Sequence, residues 1–129
     1  MKLLLDTHVL LWAATAADRL TPAAREALED GDNDVLVSAV VGWEIAIKQF
    51  LGKLELPRPA ELWLPDVIRR SGFAVSDIDM DAALAVRSLP WHHRDPFDRL
   101  LIAHAQAMGA TLVTHDAAFA AYEIPLLSA

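Results

Sequence analysis

The chain has no cysteine, so no disulfide framework and no thiolate metal site can be drawn on it. A reducing cytosol fits that composition. There is no low-complexity tract, no linker and no internal repeat to divide its 129 residues, so residues 1–129 read as one domain, long enough to bury a core. There is no long apolar run either. The N-terminal stretch LLLDTHVLLW is broken by Asp6 and His8 and lacks a basic flank and a small-residue cleavage site. It is therefore expected to be neither a signal peptide nor a membrane span, and the protein is expected to be cytoplasmic. Positive charge is scarce: 11 Lys and Arg stand against 18 Asp and Glu, a formal charge of −7. Passive nucleic-acid binders take most of their affinity from phosphate neutralisation. An acidic balance argues against passive nucleic-acid binding but not against an enzyme whose acids hold cations, because a bound metal inverts the local charge. Phosphate-binding P-loops, GxGxxG turns and HExxH helices are all missing.

What is present is an alternation of short apolar runs and helical stretches. Strands are expected at 2–5, 34–38, 73–78 and 110–114, with a fifth at 124–128. Helices are expected from Thr7 to about Thr15, after the Thr21 cap and Pro22, from Ser38 to about Leu51, within 57–72, over 79–89 and over 96–109. Pro65 complicates the helix within 57–72, which reads either as one helix or as two short pieces. Such alternation implies an α/β fold with a parallel sheet covered on both faces. Sites in open parallel sheets form outside the carboxyl ends of the strands.

Four acids occupy telling positions. Asp6 and Asp116 follow the first and fourth strands. Glu44 sits on an apolar helix face with Val40, Val41, Ile47 and Lys48 at i±3 and i±4, where a carboxylate is costly unless it is paired or metal-bound. Asp98 lies in the first turn of the last long helix, behind Asp95 at the N-cap and Pro96 at N1. Each has a plain alternative: Glu44 in a surface pair with Lys48, and Asp6, Asp98 and Asp116 as helix caps. Convergence on one edge favours a shared pocket. Crowded carboxylates repel without a cation. With Mg²⁺ or Mn²⁺, which prefer oxygen ligands, they form a template for attack of water on a phosphodiester. Thr7, Ser38 and Thr114 flank the acids and can orient carboxylates or satisfy local backbone. Lys48, Arg94 and Arg99 are candidate phosphate contacts, and His93 or His115 is a candidate RNA contact. The five histidines suit no usual zinc cluster, and His104 reads as a packed side chain.

The segments LLLDTH, SAVVGWEIAIK and HHRDPFDRLLIAHAQAMGATLVTHD together resemble a PIN domain, and within that family the VapC-like toxins of bacterial toxin–antitoxin pairs. The resemblance spans essentially the whole chain. It implies a three-layer α/β/α fold with about five parallel strands in order 3-2-1-4-5. It implies a Mg²⁺- or Mn²⁺-dependent endoribonuclease, a hydrolase, with Asp6, Glu44, Asp98 and Asp116 as catalytic and metal-binding acids. It also implies a homodimer and a cognate antitoxin, a segment of which is expected to lie beside helix 38–51 near Trp43 or Phe50. Two other functions compete. One is a haloacid-dehalogenase-like phosphatase with Asp6 as nucleophile, although His8 stands where a second aspartate is wanted. The other is an acidic module that binds an arginine-rich partner without catalysis.

Overall fold

The computed structural model describes all residues from Met1 to Ala129. Five strands, β1 (Lys2–Leu5), β2 (Asp34–Ser38), β3 (Ala74–Ser76), β4 (Thr111–Thr114) and β5 (Leu126–Ser128), form one sheet in the order β3-β2-β1-β4-β5. Every pairing is parallel, with Leu4 of β1 opposite Leu36 on one side and Leu112 on the other. Six α-helices flank the sheet: α1 (Thr7–Thr15), α2 (Pro22–Glu29), α3 (Ala39–Phe50), α4 (Ala60–Ser71), α5 (Met80–Ala85) and α6 (Pro96–Met108). This is the three-layer arrangement and strand order expected of a PIN-like fold.

The central strand is apolar on both faces because both faces are covered. Leu3, Leu4 and Leu5 are fully buried, as is Leu112 of β4 beside them. They belong to one cluster of 28 buried residues that runs from Leu3 to Ala129 and includes Val41, Ile45, Ile102 and Phe119. Helix α3 packs on α4 and α6, and α5 packs on α6.

Local chemistry sets the element ends. Thr21 caps α2, its hydroxyl accepting the Ala24 N–H, with Pro22 at the first position. Ser38 caps α3 through Val40 N–H. Asp95 caps α6 through the N–H groups of Phe97 and Asp98. Gly72 and Gly109 end α4 and α6 in the left-handed conformation, at φ 75° and 63°.

Two elements differ from expectation, and one open alternative is decided. The 57–72 stretch holds one continuous helix, with Pro65 inside it. Trp63, Leu64, Val67 and Ile68 are buried on either side of the proline, so packing of that face holds both halves in one line. The third strand is three residues long, at the sheet edge. The 79–89 helix changes at Val86 into a 3₁₀ turn, Val86–Ser88. Two further 3₁₀ turns, Ala17–Arg19 and Ala117–Ala121, had no counterpart in the sequence reading.

The left-handed cap at Gly109 gives a direct stability test. An added Cβ there meets nothing within 4 Å, so only the backbone preference is at stake. Gly109→Ala should cost about 1 kcal/mol in urea unfolding. Gly31→Ala, at an equally open position without a positive φ, should cost less.

Candidate active site

The carboxyl ends of β1 and β4 lie side by side, and an aspartate follows each, Asp6 directly after β1 and Asp116 after β4 with only His115 between. Asp6 follows Leu5, with its N–H bonded to the Val113 carbonyl at 2.9 Å, which fixes its backbone to β4. Both of its carboxylate oxygens are engaged. Oδ1 accepts the Thr7 N–H at 2.6 Å, and Oδ2 accepts the Thr114 hydroxyl at 2.8 Å. Thr114 in turn accepts the Asp116 N–H at 3.0 Å, so one hydroxyl links the two strand-end aspartates. Asp116 caps the following 3₁₀ turn through Oδ1 and Ala118 N–H, and its side chain is 46% exposed.

Glu44 reaches the same place from α3. It is 6% exposed and sits on the face that buries Val40, Val41 and Ile45. Thr7 donates its hydroxyl to Oε1 at 2.6 Å, and Lys48 one turn on forms an ion pair with Oε2. That pair raises the Lys48 pKa, with the Glu44 hydrogen bond as the main cause. Thr7 therefore binds Asp6 through its N–H and Glu44 through its hydroxyl. It spaces two acids that would otherwise repel.

Asp98 completes the set from the first turn of α6. His93 stands beside it, Nε2 lying 3.0 Å from Asp98 Oδ2 and 3.5 Å from Asp116 Oδ2. Burial pushes the Asp98 pKa from its ordinary value near 3.8 to about 8, and the charges of Asp6, Asp95, Glu44 and Asp116 push the same way. Asp6 is also raised, by burial first, with its two hydrogen bonds opposing. The cleft these groups line has a volume of about 720 Å³. Asp6, Glu44, Asp95, Asp98 and Asp116 supply its acid wall, and His8, Trp12, Arg19, Lys48 and His115 face them.

This donor set fits a hard divalent cation. Ligand atoms of His93, Asp98 and Asp116 lie within 4.8 Å of one another. A carboxyl that holds its proton to about pH 8 marks a pocket short of positive charge. Oxygen donors in this number suit Mg²⁺ or Mn²⁺.

The four acids singled out in the sequence thus line one cleft. Capping and convergence prove compatible, since Asp6 and Asp116 each cap with one oxygen while lining the cleft. Thr7 and Thr114 orient acids directly. Ser38 does not: its hydroxyl meets Val40 N–H and His104 Nδ1. His104 is a packed histidine, as expected, its pKa lowered by burial. Lys48 and His115 line the cleft, whereas Arg94 lies outside its lining. Arg99 is corrected outright as a phosphate contact. It is 6% exposed and spends its donors on main-chain carbonyls and Tyr122. Arg19 and Trp12 were missed as cleft residues. Arg19 stacks on Trp12 at 4.8 Å, a contact formed by the 3₁₀ turn that the sequence did not signal.

Comparison with known proteins agrees with the fold. The PIN domain family model matches residues 3–125. The chain is 34% identical to Ribonuclease VapC22 of Mycobacterium tuberculosis over 116 residues, covering 88% of this chain and 85% of that protein. It is 41% identical to Ribonuclease VapC16 of the same organism over 64 residues, half of this chain and 45% of that one. Among solved structures, VapBC2 from Rickettsia felis bound to a promoter DNA fragment superposes with a TM-score of 0.73 at 18% identity, covering 99% of this chain and 98% of that chain. DNA-bound VapBC from Salmonella typhimurium gives 0.71 at 19% identity, with the same coverage.

The raised Asp98 pKa sets the pH dependence of the metal-free protein. Below about pH 4 folded and unfolded chains both hold this proton, and nothing is lost. Between about 4 and 8 the unfolded chain releases it while the folded chain keeps it, so stability falls as pH rises. Above about 8 the penalty is constant. In EDTA, the Tm of Asp98→Asn should gain on the parent steadily across that window and then level off. A pH-independent difference would contradict the crowded-carboxylate account.

Proposed function

The chain belongs to the PIN-domain family, and from that membership we propose that it is a divalent-metal-dependent endoribonuclease, the toxin of a toxin–antitoxin pair. The observation that carries this reading is the convergence of four carboxylates, from β1, α3, α6 and the end of β4, on one cleft where Asp98 lacks compensating charge. Asp6, Glu44, Asp98 and Asp116 would hold the ion, Mg²⁺ or Mn²⁺. When bound, such an ion would supply water activation and charge neutralisation at the phosphoryl oxygens.

The protein's own groups divide the remaining work. Thr7 and Thr114 fix the rotamers of Glu44 and Asp6, so the donors need little rearrangement when charge arrives. Lys48 neutralises one Glu44 oxygen and places a cation at the cleft wall, where an RNA phosphate can lie. His115 and Asp116 stand at the same cleft, the latter half open to solvent. The phosphatase alternative is disfavoured by geometry as well as by His8. An Asp6 whose two oxygens are both hydrogen-bonded is a poor nucleophile.

Residues 1–129 form one PIN-like domain in this reading, supported by the single buried cluster. No helix is long and apolar enough to cross a membrane, and a cytoplasmic site of action is proposed. Protein partners, a second copy and an antitoxin, fit the exposed apolar surface of α3 and its surroundings. Trp43 is 56% and Phe50 88% exposed there. A groove of about 430 Å³ between α3 and α4, lined by Gly42, Ala46, Leu64, Pro65 and Ile68, runs along the same helix.

Cleavage of a mixed single-stranded RNA in Mg²⁺ or Mn²⁺, with EDTA as control, tests the proposal. Asp6→Asn, Glu44→Gln and Asp98→Asn should each lower the rate by about 100-fold or more, with unchanged circular dichroism. Full activity in Glu44→Gln would remove the buried glutamate from the site. Millimolar Mn²⁺ should also raise the parent's Tm by mass action, and the rise should vanish in Asp6→Asn/Asp98→Asn.

A further inference from the structure

Arg99 is the only buried Lys or Arg, and it has no carboxylate partner. Its guanidinium is solvated by main-chain carbonyls instead. Nη1 donates to Pro90 O at 3.0 Å and His93 O at 3.2 Å, and Nη2 to Val86 O at 3.2 Å and Leu89 O at 3.3 Å. Trp91 closes over it at 4.4 Å. Burying a charge in this way is costly. Its structural effect is to tie the whole 86–93 segment to the first turn of α6, one residue from Asp98.

Tyr122, the one tyrosine of the chain, finishes the tie. Its hydroxyl accepts the His93 N–H at 2.8 Å and donates to Pro90 O at 3.0 Å. The main chain of His93 is therefore held on both sides, N–H by Tyr122 and C=O by Arg99. The imidazole is held as well. Nδ1 accepts the Asp95 N–H at 3.2 Å, and the ring packs on Phe119 at 5.7 Å. An Nδ1 that accepts a hydrogen bond carries no proton, so the ring proton sits on Nε2. That nitrogen is the one facing Asp98 and Asp116. It carries the ring proton, and it has no lone pair to offer an ion.

We propose that His93 is a positioning residue of the metal site, locked by Arg99 and Tyr122. Its Nε2–H side lies between the two carboxylates, 3.0 Å from Asp98 Oδ2 and 3.5 Å from Asp116 Oδ2, and sets their separation before an ion binds. This rests on the metal-dependent reading above. It separates His93 from the ligands even though its distances alone would place it among them. Partners that orient ligating carboxylates typically contribute 10- to 100-fold in metal affinity.

The test reads binding rather than cleavage. Mn²⁺ is titrated into the protein and free Mn²⁺ is followed by electron paramagnetic resonance, with circular dichroism on each variant. His93→Leu should weaken binding about 10- to 100-fold. His93→Gln, whose amide nitrogen can reach the Nε2 position, should recover most of that loss, and Tyr122→Phe should show an intermediate one. Pulsed measurements on the Mn²⁺-loaded parent, which need no variant to fold, should show no directly coordinated nitrogen. Directly coordinated histidine nitrogen overturns the inference. So does parental affinity in His93→Leu, or a Gln variant no better than Leu. A parent that binds no Mn²⁺ at all overturns the metal-dependent reading, and this inference with it.

Discussion

Repulsion among carboxylates buried at one edge of a sheet is the constraint that the rest of this molecule answers. Each acid is fixed by an element that cannot readily move. Asp6 and Asp116 follow adjacent strands, Glu44 lies mid-helix on a core face, and Asp98 sits one turn into α6. The fold thereby prevents the groups from relaxing apart, and burial prevents water from screening them. The strain appears in the carboxyl with the least local help. Asp98 is pushed up to about 8, while Asp6, with two hydrogen bonds to its charged form, has those bonds opposing the push.

The compensations are local, cheap and drawn from ordinary secondary-structure chemistry. Two threonines at strand or helix ends clamp two acids. A lysine one turn along α3 covers one Glu44 oxygen. Asp6, Asp95 and Asp116 each sit at the start of a helical segment, where exposed N–H groups and the helix dipole favour negative charge. Capping is thus how this chain holds aspartates in place at a crowded edge, leaving other oxygens directed at the cleft.

Much of this was legible in the sequence because it is written in short-range patterns. The apolar runs at 2–5 and 34–38, the Thr21-Pro22 and Asp95-Pro96 starts, and Gly109 as a stop all act within a few residues, and the structure places them as expected. Glu44 was conspicuous because a carboxylate interrupted an apolar helix face. What was not legible depends on contacts distant in sequence. Helix 60–71 continues through Pro65 because the core holds both halves. Arg99 follows Asp98 directly and looked like a phosphate ligand, yet it turns inward to the 86–93 carbonyls. His93 gains its place from Tyr122, 29 residues away. The lone tyrosine and the HHRD loop were visible signals, but nothing local connects them.

The central claim is that the crowded edge is a cation site built from Asp6, Glu44, Asp98 and Asp116. Anomalous diffraction at the manganese edge, from crystals grown with Mn²⁺, tests it most directly. The account predicts an anomalous peak within the cleft, bonded to oxygens of these acids and to none of the His93 nitrogens. A saturating soak that leaves the cleft empty, or places manganese only elsewhere on the surface, would contradict it.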